Sequence, residues 1–155
     1  MSADAVDNAR LPAALAAYHA GPTPERRQWI TVQLCAASFL VPLRSDGLAA
    51  GAILAKAALA PGARLALALT ADEQGRPLLP VFTSPTAAGA LVRQGCALLR
   101  SPAHELWAMA AEISVLAGVV VDPDGAGWAL DPPAIRWLHE HGRIAAVLAT
   151  RQGPG

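Results

Sequence analysis

Charged residues are scarce in this chain, and their balance excludes one large class of partner. Only 15% of the 155 residues are charged, against about 25% in average soluble proteins. Twelve basic residues balance twelve acidic ones, and Arg26-Arg27 is the only adjacent basic pair. Because proteins that bind nucleic acids usually concentrate basic residues in a stripe that neutralises phosphates, the sequence predicts no nucleic-acid partner.

Cysteine is almost as rare. Cys35 and Cys96 are the only two, which is too few for a disulfide framework and too widely spaced for a zinc site. Both lie among apolar residues, where a free thiol behaves as a small hydrophobic side chain. We therefore expect reduced thiols, a cytoplasmic protein and no cofactor.

Long apolar runs are also missing. The most apolar stretch, from Gly47 to Leu69, is interrupted by Lys56, Pro61 and Arg64, and a membrane-spanning helix needs about twenty apolar residues. The amino terminus is acidic and has neither the basic start nor the apolar core of a signal peptide. The sequence predicts a soluble protein without a membrane partner.

Four junctions between a side-chain oxygen and a proline divide the chain into elements. Each predicts a helix start, because the oxygen can accept a first-turn N–H and proline at the first position loses no helical hydrogen bond. The junctions are Thr23-Pro24, Ser84-Pro85, Ser101-Pro102 and Asp131-Pro132.

Apolar periodicity places the other elements. It predicts a first helix from Ala9 to His19, and it leaves residues 44–62 open between a loop and a short helix over Ala52–Leu59. The predicted strands are Ser38–Leu43, Ala63–Thr70, Leu78–Phe82, Cys96–Leu99 and Val115–Val121, and a tight turn over 122–127 precedes Trp128-Ala129-Leu130. The fold class is α/β, bordering on α+β: a single domain over residues 9–150 with one mixed sheet of about five strands flanked by helices. Residues 1–8 are predicted to be flexible, and 151–155 a disordered tail.

Two clusters of potential metal ligands have simpler explanations. His139 and His141 are two residues apart, so on a helix they point in nearly opposite directions and we expect them on a solvated face. Asp122, Asp124 and Gly125 resemble the start of a calcium loop. The later positions do not fit, because Ala126 and Pro133 stand where that loop needs oxygen ligands. A tight turn explains them, and we predict no metal site.

The common motifs of catalytic and nucleotide-binding sites are missing as well. The chain contains no G-x-S-x-G elbow, and the glycines at 47 and 51 lack the ending of a phosphate-binding loop. Cys35 lies in a predicted helix among apolar neighbours. His104 lies in the first turn of another predicted helix, where we expect it at the surface. We expect no catalytic residue. The alternative, a nucleophile and a base that are distant in sequence and meet only in the folded protein, stays open.

The tryptophans are the remaining candidates for a function. Trp29 and Trp137 fall among apolar helical residues and are predicted to lie in the core. Trp128 follows a turn and is predicted to be partly exposed. An exposed tryptophan favours a partner-binding hot spot, or it can cover a sheet edge.

The order of these segments resembles the SseB N-terminal domain family over residues 9–150. The most specific part is the box Pro80-Val81-Phe82-Thr83-Ser84, and softer matches lie at 39–43, 118–123 and 130–132. Family members often carry asparagine where Asp122 stands. The resemblance implies a stand-alone bacterial cytoplasmic protein without established catalytic residues. Some members are described as type III secretion proteins, so a secretion-associated role is a further hypothesis.

The sequence therefore favours a non-catalytic module that binds a protein partner or associates with itself. The alternative is an enzyme or small-ligand sensor with a site at the carboxyl ends of the strands, where α/β sheets usually hold ligands. The candidate surface for either function comprises Thr83, Ser84, Asp122, Gly125 and Trp128.

Overall fold

A computed structural model describes residues 10–44, 47–55, 66–125 and 127–151, of which 143–151 are described by their backbone alone. The helices are α1 (Arg10–Ala20), α2 (Pro24–Ala36), α3 (Gly89–Arg93), α4 (Ala103–Glu112) and α5 (Pro132–Arg151). The strands are β1 (Ser38–Leu43), β2 (Ile53–Ala55), β3 (Thr70–Ala71), β4 (Pro77–Val81), β5 (Ala97–Pro102), β6 (Gly118–Val121) and β7 (Trp128–Leu130). The predicted α/β class and single domain are confirmed.

The strands form two sheets rather than the predicted one. One has the order β1-β5-β2 and the other β3-β4-β6-β7, and both mix parallel with antiparallel pairs. Leu40 and Phe82 exchange backbone hydrogen bonds of 2.8 and 3.0 Å, which join β1 to the end of β4. The prediction of one sheet of about five strands was wrong on this point. The division into two sheets depends on pairings between segments that are distant in sequence.

Two predicted elements are wrong where the structure describes them. Residues 53–55 of the proposed short helix form β2, which pairs in parallel with β5, and residues 56–59 lie outside the described part. The predicted strand 63–70 is not continuous, because Leu67 bridges Leu43 whereas Thr70 pairs with Leu78. The chain therefore crosses from one sheet to the other between those residues. Residues 63–65 lie outside the described part.

Two of the four predicted helix starts are confirmed in detail. Thr23 Oγ1 accepts a hydrogen bond of 3.1 Å from the backbone N–H of Arg26, with Pro24 in the first turn. Asp131 Oδ1 accepts one of 3.0 Å from Ala134. Both bonds satisfy backbone donors that a helix leaves without an internal partner.

The other two junctions behave differently. Ser84 Oγ accepts a 3.1 Å hydrogen bond from Ala87 N–H, but turns follow it and α3 begins only at Gly89. Ser101 is a residue of β5, paired with Phe39, and α4 begins at Ala103 without a side-chain cap. Pairing with β1 holds Ser101 in an extended conformation, which overrides its tendency to cap a helix.

The main core lies between the sheets and a layer formed by α1, α2, α4 and α5. Trp107 is fully buried there, and its indole N–H donates a 2.9 Å hydrogen bond to the Leu34 carbonyl. Trp29 is partly buried against this core. Trp137 was predicted to be in the core and is 44% exposed, which corrects that prediction. A smaller cluster on the opposite face includes Phe82 and residues of α3.

Both cysteines are buried free thiols, as predicted. Burial raises the pKa of Cys35 to about 11, so only about one molecule in a thousand carries its reactive thiolate at pH 8. We expect iodoacetamide to label Cys35 at least about tenfold more slowly in the native protein than in urea, measured by peptide mass spectrometry. Equal labelling rates in the two states would contradict this burial.

The contact between β6 and β7 leaves no room for a side chain at Gly118. A Cβ there would lie 2.3 Å from the Leu130 carbonyl oxygen, so one strand would have to move. We predict that Gly118→Ala lowers the free energy of unfolding in urea by about 1–3 kcal/mol, the usual cost of overpacking. Gly125→Ala is the matched control, because its Cβ would meet no atom closer than 3.7 Å. Equal stability of the two variants would contradict the close approach.

Candidate functional site

Thr83 and Asp122 meet at the carboxyl ends of two neighbouring parallel strands. β4 and β6 pair in parallel with Val81 opposite Val121, so the residues that follow them emerge side by side. The backbone N–H of Thr83 donates to Asp122 Oδ1 at 2.9 Å, and its hydroxyl donates to Oδ2 at 2.6 Å. Both residues are buried. We call this arrangement the Thr83–Asp122 tie.

Asp122 also starts the turn that leads back to β7. Its φ of 46° lies in the left-handed region, which aspartate and asparagine tolerate better than most side chains. Its carbonyl accepts hydrogen bonds from Gly125 at 2.9 Å and Gly127 at 3.2 Å. The predicted tight turn before Trp128 is therefore confirmed, and Asp122 holds it with both its side chain and its backbone.

The predicted strand-end residues direct their side-chain oxygens at neighbouring groups of the protein itself. Asp122 uses both carboxylate oxygens on Thr83, and the Ser84 hydroxyl oxygen accepts from Ala87. Beside them lies a depression of about 250 Å³ bordered by residues of the α3 region and of the turn, among them Arg93, Asp124 and Gly125. The ligand site predicted at this end of the sheet stays a prediction.

A larger cleft opens between α2, α5 and β7. Its volume is about 600 Å³, and we call it the tryptophan cleft. Trp128 and Trp137 line it together with apolar and charged side chains, of which the principal ones are Leu34, Leu78, Leu130, Leu138, Arg27, Asp72, Arg76 and Asp131. Of the five predicted surface residues, Trp128 alone lines this cleft.

Aromatic contacts hold both tryptophan rings. Trp128 packs edge-on against Tyr18, with ring centroids 5.1 Å apart and planes at 88°. Trp137 stacks on His141 at 4.9 Å and 24°, and His141 Nδ1 lies 3.1 Å from the Trp137 carbonyl oxygen. Such contacts orient the rings beyond simple burial.

The exposure of Trp137 could have been found from helix geometry. Ile135, Leu138 and Gly142 face the core, and Gly142 brings α5 close enough to α2 for an added Cβ to lie 3.8 Å from Cys35 Sγ. With a period of 3.6 residues, position 137 falls beside that stripe rather than within it. The prediction placed Trp137 in the core because tryptophan is apolar, without regard to its position on the helix.

The charged groups of the cleft differ in how they are bonded. The backbone N–H of Arg76 donates to Asp72 Oδ1 at 2.8 Å, and its Nε donates to Oδ2 at 2.7 Å. Hydrogen bonds from Arg76, first that of its backbone, lower the pKa of the Asp72 carboxyl, which therefore stays ionised at neutral pH. Asp131 caps α5. The exposed guanidinium of Arg27 makes no ion pair or hydrogen bond with another described residue, whereas the Arg27 carbonyl accepts a 3.3 Å hydrogen bond from the Thr31 hydroxyl.

The histidine pair behaves as predicted. His139 and His141 are both exposed on α5. Within the described ranges, no three histidine, cysteine or acidic residues are grouped as a metal ion would need. No helix in those ranges is long and apolar enough to cross a membrane.

Comparison with known proteins identifies the family. A protein-family model, described as SseB protein N-terminal domain, matches residues 11–137. These residues make up most of the chain. The chain therefore belongs to the SseB family, as the resemblance implied. Searches of curated proteins and of solved structures each found no significant match.

The tie makes a graded prediction for stability. Thr83→Val keeps the side-chain shape but removes the hydroxyl donor, and a buried acceptor left without its partner costs about 1–3 kcal/mol. Asp122→Asn should cost less, because its carbonyl can still accept from the Thr83 N–H and its amide can donate to the hydroxyl oxygen. Thr86→Val is the control, because Thr86 is exposed one turn further on.

The free energies of unfolding in urea measure all three variants. We expect Thr83→Val to be the least stable and Thr86→Val to match the unmodified protein. An Asp122→Asn variant less stable than Thr83→Val would contradict the role given to these two hydrogen bonds.

Proposed function

We propose, starting from membership of the SseB family, that this chain is a non-catalytic bacterial module that binds a segment of a partner protein in the tryptophan cleft. The observation that carries the proposal is the convergence of Trp128 and Trp137 on one apolar trough of about 600 Å³ with charges around it. Tryptophan and arginine dominate the binding energy of protein interfaces when they border a pocket that excludes water.

The exposure of Trp137 supports this use of the cleft. Its side chain is 44% exposed although it lies beside the leucines that line the trough. Solvent contact of a large apolar ring has a free-energy cost of about 25 cal/mol for each Å² that a partner could cover. Covering this ring with a partner segment would therefore contribute directly to binding.

The state of the strand-end residues supports a role without catalysis. Thr83 and Asp122 bond to each other, and Ser84 bonds to the turn that follows it. These oxygens hold the backbone, which favours a scaffolding role for them. The buried free thiols suit a reducing compartment, and we place the module in the cytoplasm. An association with secretion would follow only from the identity of the partner.

One observation favours a second candidate, a small-ligand sensor or enzyme. The depression of about 250 Å³ lies at the carboxyl ends of β4 and β6 and is bordered by the guanidinium of Arg93, where α/β sheets usually hold ligands. A panel of metabolites screened by thermal shift tests it. A metabolite that raises the melting temperature of the unmodified protein but not of Arg93→Ala would favour the sensor over the module.

Selection from a displayed library of random dodecapeptides tests the proposed module. We expect peptides that bind the immobilised protein and lose at least about tenfold in affinity to Trp137→Ala, since truncating a hot-spot tryptophan typically costs 2 kcal/mol or more. Affinities are measured by isothermal titration calorimetry with the resynthesised peptides.

Leu69→Ala is the matched control for this test. Leu69 has the same exposed fraction, 44%, and does not line the cleft, so its loss should leave peptide affinity unchanged. A library that yields no binder, or binders equally affected by Leu69→Ala and Trp137→Ala, would contradict peptide binding in the tryptophan cleft.

A further inference from the structure

β7 is an edge strand, and all of its residues line the tryptophan cleft. β7 pairs with β6, and the second sheet ends there in the part of the chain that the structure describes. Three consecutive residues of this strand, 128 to 130, line the cleft. Adjacent side chains of a strand point to opposite faces. A trough bordered by all three must therefore pass the edge or the end of the strand rather than lie on one face.

Residues further from β7 show the same path. Leu130 pairs with Val119 of the main core, so it faces the helices. Leu78 alternates with Leu79 and Val81, which belong to that core, so Leu78 faces away from the helices. Leu78 and Leu130 nevertheless line the same cleft. Leu78 is separated from β7 by β6, so the trough opens to both faces of the sheet near the strand ends, where Ala117 and Asp131 also line it.

A strand edge presents N–H and C=O groups in the geometry that another strand needs. Peptide-recognition domains use such edges by adding an extended segment, whose backbone supplies affinity while alternate side chains enter pockets. Ala129, at the centre of this strand, is exposed. Trp128 and Trp137 line the same cleft as this strand.

The charges of the cleft indicate what such a segment should carry. The Asp72 carboxylate is bonded to Arg76, and Asp131 caps α5. Arg27 lines the cleft, is exposed and makes no ion pair with another described residue. Its planar guanidinium group presents donors that match a carboxylate, so a negative charge on the occupant complements this wall.

We infer that the occupant is an extended segment of a partner protein that pairs its backbone with the outer edge of β7, inserts an apolar side chain between Trp128 and Trp137, and presents a carboxylate to Arg27. This inference rests on the proposed function and adds the conformation and chemistry of the partner. A second copy of the chain and a helical segment are the competing occupants.

N-methylation distinguishes strand addition from other modes of docking. A peptide selected from the dodecapeptide library is synthesised unmodified, with N-methyl groups at its odd positions, and with N-methyl groups at its even positions. Alternate N–H groups of a strand face the same neighbour. One methylation pattern should therefore weaken binding about tenfold or more, through the loss of several backbone hydrogen bonds, whereas the other should leave affinity nearly unchanged.

The charge contact has its own variants. We expect Arg27→Ala to weaken the unmodified peptide about tenfold, the usual order for a hydrogen bond to a charged group. Replacing the peptide's acidic residue by its amide should have the same effect, and it should change little further in Arg27→Ala. Arg10→Ala is the control, because Arg10 is an exposed arginine of α1 that does not line the cleft.

The outcomes separate this inference from the proposed function. If both methylated peptides bind as well as the unmodified one, or both fail equally, strand addition is wrong while peptide binding in the cleft stands. If no selected peptide distinguishes the unmodified protein from Trp137→Ala, both are wrong. A dimer in sizing experiments that the peptide does not dissociate would assign the edge to a second copy and overturn the inference.

Discussion

The position of the tryptophan cleft depends on the two hydrogen bonds that Thr83 donates to Asp122. They join the carboxyl ends of β4 and β6 and hold Asp122 in the left-handed conformation from which the chain reverses. That reversal lays β7 against β6 with Trp128 opposite Val121. A buried carboxylate that accepts two hydrogen bonds is costly to disturb, so the turn is strongly determined. The residues most suggestive of chemistry in the sequence therefore act as the support of a surface formed elsewhere.

A second local device connects the two tryptophans. β7 ends at Leu130, and Asp131 caps α5 at once. The short path from the edge strand into a capped helix brings Trp137 into the lining of the same cleft as Trp128, while Gly142 allows α5 to lie close to α2. The cleft is thus assembled from one turn, one edge strand and one helix start. Hydrogen bonds to the backbone hold these elements, and the exposed ring of Trp137 is available to a partner.

Local chemistry predicted the elements whose cause lies within a few residues. The cap at Thr23, the cap at Asp131 and the turn after Asp122 follow from side-chain oxygens and glycines at fixed offsets. Non-local pairing decided the rest: β1 draws Ser101 into a strand, and Leu67 and Thr70 join different sheets. The meeting of Thr83 with Asp122 was predictable because both follow strands. The cleft was not, since α2, β7 and α5 are distant in sequence and only Trp128 among its residues belonged to the predicted surface.

Amide hydrogen exchange across β7 tests the central claim most directly, because it reports whether the strand edge itself is occupied. The protein is compared alone and saturated with a peptide selected against the cleft. The account predicts that exchange slows at the β7 amides that point away from β6, while the buried amides of α4 are unchanged. Unchanged exchange along Trp128–Leu130, together with a shift of the Trp137 indole signal on binding, would mean that partners dock on the rings alone and would contradict the account.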